Sequence, residues 1–391
     1  MPQTRRILAC DGGGIRGIIT LRCLEKLEER VGPLHKYFDM FAGTSTGSMI
    51  AGSLAAGTPV AELIDTYTKQ RRKIYTRRPL WFLHPLVTKY QKAPMHRFLS
   101  ETFKEAKLSQ LYTDILITAV DTVRSETTYF SSFRTLEREA DGKTPKQYGT
   151  YRNVRLRDAI EASASAPTYF AAHGRFIDGG STVYNNPAYV AAVEALRFSS
   201  DKPELSRYNN ARLEVYSFST GAFARTMEPY DAMQTSALGW IEYLIEESAS
   251  QSGEQQSYVA QSELDTAEAA IVFYRYDLYL TPKVIMDWGP PGGIVAPDEL
   301  TLDAVDELRF GLMDTLGQKY AAEIFPPHWD PPPEPPALPR SSAAAAMLGR
   351  TQAAGCWNQY GRPKFEGEKY VKAVLDQFDA IDRRFGASVR A

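Results

Sequence analysis

The pentapeptide GTSTG at 43–47 limits which folds this chain can adopt. It joins a predicted strand at 38–42 (FDMFA) to a helical pattern at 48–56. A strand-to-helix elbow of the form G-x-S-x-G holds its serine in a tight turn with the hydroxyl exposed. Gly43 and Gly47 lack the Cβ atoms that would clash in such a turn, and the following helix N-terminus favours negative charge near Ser45. The pattern predicts a nucleophilic serine; an incidental Gly/Ser turn is the alternative.

Apolar periodicity elsewhere predicts further strands and helices. The predicted strands lie at 6–11, 38–42, 115–120, 176–178 and 213–218. The predicted helices lie at 15–31, 48–56, 157–164, 187–196 and 366–385. Strands that alternate with helices predict an α/β fold, in which a mostly parallel sheet is flanked by helices.

Proline content suggests how the chain is divided. The stretch 326–339 (PPHWDPPPEPPALP) contains eight prolines, which neither a helix nor a central strand tolerates. We therefore expect a catalytic domain over 1–325 and a proline-rich linker or arm over 326–342. A C-terminal extension over 343–391 would then carry the last amphipathic helix.

A second motif, DGGGIRG at 11–17, follows the first predicted strand. Consecutive backbone N–H groups at Gly12, Gly13 and Gly14 are suited to bind an oxyanion. The G-x-G-x-x-G spacing also fits a dinucleotide-binding turn, with Asp39 near the expected acidic position. However, the strand after Asp39 runs directly into the GTSTG elbow, which a nucleotide site does not need. A nucleophile and oxyanion donors on neighbouring strand ends favour acyl transfer.

A serine nucleophile also needs a proton acceptor. None of the histidines has the sequence context of a triad base: His35, His84, His96, His173 and His328. Asp178 ends a short predicted strand, and Gly179 and Gly180 allow its carboxylate to approach a crowded site. An Asp whose surroundings raise its proton affinity can take the serine proton directly. A turn-capping Asp is the alternative.

Together, DGGGIRG (11–17), GTSTG (43–47) and DGG (178–180) resemble the three signatures of the patatin-like phospholipase family, in order and in approximate spacing. The stretch 162–170 (ASASAPTYF) resembles the family segment that precedes the third signature. The segment 185–187 (NNP) resembles the one that follows it. The resemblance is good over about 7–191, loose to about 325, and not recognisable beyond.

The resemblance implies a three-layer α/β/α fold and a lipid acyl hydrolase of phospholipase A type with a Ser45–Asp178 dyad. It also implies oxyanion donors and supporting residues: Gly12, Gly13, Gly14 and the backbone of Thr46, then Arg16, Gly43, Gly47, Gly179 and Gly180. Family members usually act without a metal ion, so no metal or other cofactor is expected. The alternatives are a binding or storage protein with vestigial catalysis and, less favoured, a dinucleotide-dependent enzyme.

A basic segment at 69–78 (KQRRKIYTRR) runs into an apolar one at 79–87 (PLWFLHPLV). This pattern is typical of an interfacial contact with anionic lipid. The candidate contact residues are Arg71, Arg72, Arg77, Arg78, Trp81 and Phe82. A solvated helix face followed by buried core is the alternative, and the charge would equally suit an anionic activator or a protein partner.

Charge and composition limit the partners and the compartment. Lys+Arg 45 against Asp+Glu 47 gives a net charge of −2, which does not favour nucleic-acid binding. Three cysteines are too few for a disulfide framework and indicate a reducing compartment. The sequence contains no secretory signal and no uninterrupted apolar run of about 18 residues. We therefore expect a cytoplasmic protein that reaches lipid from the membrane surface.

Overall fold

The computed structural model describes residues 3–79, 87–138, 145–147, 151–201, 206–209, 211–222, 229–236, 239–240, 243, 247, 253, 255–259, 271–290, 296–331 and 367–386. The strands are β1 (Thr4–Cys10), β2 (Met40–Gly43), β3 (Asp114–Asp121), β4 (Glu126–Ser132), β5 (Arg134–Arg138), β6 (Pro145–Gln147), β7 (Phe176–Asp178), β8 (Arg212–Phe218) and β9 (Ile271–Tyr276). The helices are α1 (Gly17–Val31), α2 (Leu34–Tyr37), α3 (Thr46–Ala55), α4 (Val60–Ile74), α5 (Lys92–Phe103), α6 (Leu156–Ser163), α7 (Ala188–Asp201), α8 (Pro229–Gln234), α9 (Pro282–Trp288), α10 (Glu307–Ile324) and α11 (Gly367–Gly386).

Seven of the strands form one mostly parallel sheet. The order is β4-β3-β2-β1-β8-β9, and β7 also pairs with β3. The pairs β1–β2, β2–β3, β1–β8 and β8–β9 are parallel, whereas β4 and β7 run antiparallel to β3. The predicted α/β class is confirmed.

Both faces of the sheet are buried. Neighbouring residues of each strand point to opposite faces, so Leu8 and Phe41 belong to one apolar core, and Ile7 and Met40 belong to the other. All four side chains are fully buried. A sheet covered on both sides needs apolar residues at successive positions, which explains the continuous apolar run at 7–10.

The elements predicted around the motifs are present with shifted ends. The strand expected at 38–42 is present as β2 but begins later, at Met40. The short helix α2 precedes it and ends at Tyr37. The helix expected at 48–56 is α3, which begins immediately after Ser45. The helix expected from Ile15 opens with a tighter 3₁₀ turn at Gly14–Arg16 before α1. The other elements had no predicted counterpart: α2, α4, α5, α8, α9, α10, β4, β5, β6 and β9.

The C-terminal helix α11 packs into the same core as the sheet. Val374 and Phe378 are fully buried, and the Phe378 ring lies 5.9 Å from that of Phe176 in β7. Residues 332–366 lie outside the described part, so the proline-rich arm and the domain boundaries stay predictions. Among the described residues, no helix combines the length and the apolar character needed to cross a membrane.

Candidate active site

The sheet register brings the ends of β2 and β7 together. Gly43, the last residue of β2, pairs with Ile117 of β3. Asp178, the last residue of β7, pairs with Ala119, two positions further along β3. Because β4 occupies the other edge of β3 over these positions, β2 and β7 share one edge and their ends meet. There Ser45 and Asp178 lie in the wall of one cavity, and the Ser45 side chain lowers the pKa of the Asp178 carboxyl.

Ser45 occupies a strained strand-to-helix elbow. Its φ of 54° is uncommon for a residue with a side chain. A Cβ on Gly43 would lie 2.5 Å from the Gly47 carbonyl carbon, and one on Gly47 would lie 2.6 Å from the Asp11 carbonyl oxygen. Both positions therefore require glycine. The Ser45 N–H donates to the Ser163 hydroxyl at 2.8 Å, which ties the elbow to the end of α6.

Asp178 lies in surroundings that increase its proton affinity. It is 4% exposed, and its carboxylate accepts the Gly180 N–H at 2.7 Å. Burial raises the pKa of Asp178 to about 6, although the hydrogen bonds from Ser45 and Gly180 and the charge of Lys92 oppose the rise. Such a carboxylate is ionised at neutral pH and holds a proton more strongly than an exposed Asp, so it suits a general base. Gly179 packs so closely against β3 that a Cβ would not fit.

One of the predicted oxyanion donors in the glycine loop after β1 already has an acceptor within the protein. The Gly12 N–H donates to the Asn185 carbonyl oxygen at 3.1 Å. This bond corrects the prediction for Gly12, because its donor is already used within the protein. The N–H groups of Gly13, Gly14 and Thr46 have no acceptor among the described residues. All three residues line the same cavity as the candidate nucleophile, so their N–H groups remain candidate donors.

Three residues that the sequence analysis missed support these loops: Tyr67, Lys92 and Arg275. The Tyr67 hydroxyl donates to the Gly14 carbonyl oxygen at 2.9 Å and is hydrogen-bonded to the Thr46 hydroxyl, so it links the glycine loop to the elbow. Tyr67, Lys92 and Arg275 are all far in sequence from the residues they contact, so no local sequence pattern indicates their roles. Arg16, predicted as a supporting residue, is 7% exposed and lies in the 3₁₀ turn of the loop.

An apolar cavity opens beside the Ser45 hydroxyl. Ser45 and Asp178 lie in its wall. Its lining is mainly aliphatic and aromatic and includes Ile74, Tyr75, Met95, Phe98, Tyr169 and Phe170. Ligand sites of this kind are apolar, with few polar groups that orient the bound molecule. The cavity therefore suits an apolar chain whose polar end reaches Ser45.

The alternatives to a Ser–Asp pair are a histidine base and a dinucleotide-binding site. Among the described residues, no histidine lines the cavity; His84 lies outside them, and His328 is exposed. Asp39 precedes β2, at the end of the sheet opposite the glycine loop, where its carboxylate binds Arg5 at 2.8 Å and also binds Arg207. An acid that reads a ribose would have to lie at the glycine-loop end. Asp39 is therefore a structural ion-pair partner.

The basic segment is only partly a surface feature. Arg71 is 6% exposed because its guanidinium pairs with Glu307 at 2.6 Å and lies over the Phe310 ring. Arg71 is therefore not part of an exposed basic surface; it lies in the wall of the cavity beside Ser45, and its contact with lipid stays a prediction. Arg72 is exposed and also pairs with Glu307 at 3.0 Å. Arg77 is exposed and Arg78 half-buried, whereas Trp81 and Phe82 lie outside the described residues.

No group of His, Cys, Asp and Glu side chains suited to hold a metal ion occurs within the described ranges. The donor set around Ser45 is likewise one carboxylate and backbone N–H groups, which is not a metal-ligand set. The chemistry available at this site is therefore that of a serine hydroxyl, a carboxylate and backbone donors.

Comparisons with known proteins identify related sequences. Residues 8–192 match the family model of patatin-like phospholipases. The chain is 30% identical over 224 residues to a cGAMP-activated phospholipase of Vibrio cholerae, covering 51% of this chain and 60% of that protein. It is 29% identical over 281 residues to patatin-like protein 2 of Arabidopsis thaliana, covering 62% and 66%. For an intracellular phospholipase A2 of Caenorhabditis elegans the identity is 29% over 228 residues, covering 56% and 20%. The chain thus spans less than two thirds of the length of each relative.

Proposed function

Since residues 8–192 of this chain are a patatin-like phospholipase domain, we propose that the protein is a lipid acyl hydrolase of phospholipase A type. The observation that carries the proposal is that Ser45 and the buried Asp178 lie together in the wall of one apolar cavity. A fatty-acyl chain would occupy the cavity and place its ester carbonyl at Ser45.

In the proposed reaction, the Ser45 oxygen attacks the ester carbonyl carbon while the hydroxyl proton passes to Asp178. The carbonyl oxygen becomes an oxyanion, which the N–H groups of Gly13, Gly14 and Thr46 would stabilise. One such donor is typically worth about 3 kcal/mol. The intermediate then expels the lipid alcohol, which takes the proton from Asp178, and leaves an acyl group on Ser45.

Water completes the proposed cycle. Asp178 accepts a proton from the attacking water, a second oxyanion forms in the same place, and its collapse releases the fatty acid and returns the proton to Ser45. The same base and the same oxyanion site would therefore serve both acylation and deacylation. Neither the acylation nor the deacylation step proposed here includes a cofactor.

The test is release of free fatty acid from mixed phospholipid vesicles without added metal. We would compare wild type with Ser45→Ala and with Ser125→Ala as a matched control, because Ser125 also has a φ of 54° but is exposed on the β3–β4 turn. We expect release from wild type and Ser125→Ala and none from Ser45→Ala. Equal release from Ser45→Ala would refute the nucleophile.

A second set of assays tests whether the protein needs an activating ligand and whether it has lost catalysis. The Vibrio cholerae relative is by name cGAMP-activated, so the assay would be repeated with added cGAMP and with a short-chain ester. Serine-dependent release only with cGAMP would assign an activating ligand to this chain too. A folded wild type that cleaves neither lipid nor short-chain ester under any of these conditions would support a binding protein.

A further inference from the structure

A cluster of buried charged side chains lies behind the candidate active site, between α5 and α6. Lys92 and Glu161 are 7% and 1% exposed, with 3.3 Å between the Lys92 Nζ and the Glu161 Oε1. Glu161 also faces His96 at 2.7 Å and His173 at 3.4 Å. Burying charges is costly unless they are paired. Here Glu161 faces Lys92, His96 and His173, which offsets the cost.

Hydrogen bonds connect this cluster to both candidate catalytic residues. The Lys92 ammonium donates to the Ser165 hydroxyl, which itself donates to the Glu161 carbonyl oxygen at 2.5 Å. The Ser165 carbonyl oxygen accepts the Asp178 N–H at 3.1 Å. Two residues earlier, the Ser163 hydroxyl accepts the N–H of the nucleophile at 2.8 Å. The segment 163–165 therefore holds the backbones of both partners, and Lys92 holds this segment.

Lys92 also acts on Asp178 through its charge. The ammonium lowers the pKa of Asp178, against the larger effect of burial, which raises it. In return, Asp178 and Glu161 stabilise the charged form of Lys92, whose pKa burial lowers. Opposite charges in a dry interior favour each other's ionised forms.

We propose that Lys92 is a positioning residue for the Ser45–Asp178 pair: it fixes the segment 163–165 and supplies the positive charge beside Asp178. This inference rests on the proposed function only in its consequence for turnover. Its structural content, which is that Lys92 keeps Asp178 ionised and in place, holds whether or not the protein cleaves lipid.

The test compares Lys92→Met, which keeps the length of the side chain but removes its charge, with Arg97→Met. Arg97 is exposed on the same helix, so this control removes an equal charge without touching the cluster. The first readout is the titration of the Asp178 carboxyl carbon by NMR in protein with ¹³C-labelled aspartate, assigned by its loss in Asp178→Asn. We expect the midpoint to rise by about one pH unit in Lys92→Met and to stay unchanged in Arg97→Met.

The second readout is kcat/KM for a short-chain ester against pH. A base must be ionised to act, so activity is present above the Asp178 midpoint and is lost below it. In Lys92→Met we expect this acid limb to move up by the same amount, so activity near pH 6 falls several-fold more than activity near pH 8.5. A purely structural role would lower activity equally at all pH values and leave both midpoints in place, and that result would overturn the proposal.

A second variant covers a failure of Lys92→Met to fold. Lys92→Gln removes the positive charge but keeps an amide that can donate to the Ser165 hydroxyl, and Glu161 keeps His96 and His173 as partners. The same rise of the Asp178 midpoint is expected, and an unchanged midpoint would again contradict the proposal. If the proposed function fails, wild type shows no esterase activity while the NMR midpoint still moves. The two failures are therefore distinguishable.

Discussion

Arg275 in β9 donates two hydrogen bonds to the Asp11 carboxylate, at 2.9 and 2.7 Å, across 264 positions of sequence. Asp11 is buried and the Arg275 side chain is 8% exposed, and Asp11 begins the glycine loop that carries the candidate oxyanion donors. The pair therefore connects the outer strand of the sheet to the candidate active site. A bidentate contact between arginine and carboxylate fixes orientation as well as distance.

Arg275→Gln should destabilise the protein by about 3 to 5 kcal/mol, because it leaves the Asp11 charge buried with weaker partners. We expect the double variant with Asp11→Asn to recover part of this loss, giving a coupling energy that a double-mutant cycle in urea measures. Strictly additive losses would show that the two side chains do not act as a pair.

The elbow predicts that Ser45→Gly is more stable than Ser45→Ala. Both variants lack the nucleophile and should be inactive. Alanine keeps the strained backbone at φ 54°, whereas glycine adopts it freely, and this relief exceeds the entropy that glycine loses on folding. We expect a difference in the free energy of unfolding of about 1 kcal/mol, measured by urea denaturation. Variants at Ser125 provide the control, since the same pair of substitutions there should change stability in the same direction without loss of activity.

Asp178→Asn should abolish turnover and stabilise the protein above pH 6. The folded-state pKa of Asp178 is raised from 3.8 to about 6, so its ionisation costs stability, fully above the folded pKa and not at all below the unfolded one. At about 1.4 kcal/mol for each pH unit, the gain at pH 8 is at most about 3 kcal/mol. Melting curves of both proteins from pH 3.5 to 8 measure it. Curves that stay parallel over this range would contradict a raised pKa.

Stability should fall between pH 6.5 and 9 as His96 loses its proton. Burial alone disfavours the imidazolium, but hydrogen bonds to Asp382 and Glu161 outweigh it and raise the pKa of His96 to about 9. A raised pKa means that the stabilisation is complete below the unfolded value of 6.5 and is lost as the pH passes 9. Because Asp382 lies on α11, this helix should loosen from the core as His96 deprotonates.

The matched variants are His96→Gln and His328→Gln. We expect the melting temperature of His96→Gln to be lower at pH 6 and to change less between pH 6.5 and 9 than that of wild type. His328 is exposed, and its variant should follow the wild-type curve. A wild-type melting temperature that is constant across this range would refute the role of His96.

Features that depend on a few neighbouring residues were predictable from the sequence. The Gly43 requirement in the GTSTG elbow comes from contacts within one turn, whereas Gly47 is required by the carbonyl oxygen of the distant Asp11. The mainly apolar segments around 7–10 and 213–218 predict buried strands from local sequence. The α/β class follows from these elements, because alternating strands and helices have few ways to bury both faces of a sheet.

Contacts between distant residues depend on the tertiary structure alone. Whether the Gly12 N–H is a free donor depends on where the Asn185 carbonyl lies, and whether Arg71 meets solvent depends on the position of α10. The same holds for Lys92, which no local pattern distinguishes from a surface lysine. The physical reason is that residue type and local periodicity fix backbone preferences and the apolar face of an element. They do not specify which distant donor, acceptor or charge the finished packing places beside a given side chain.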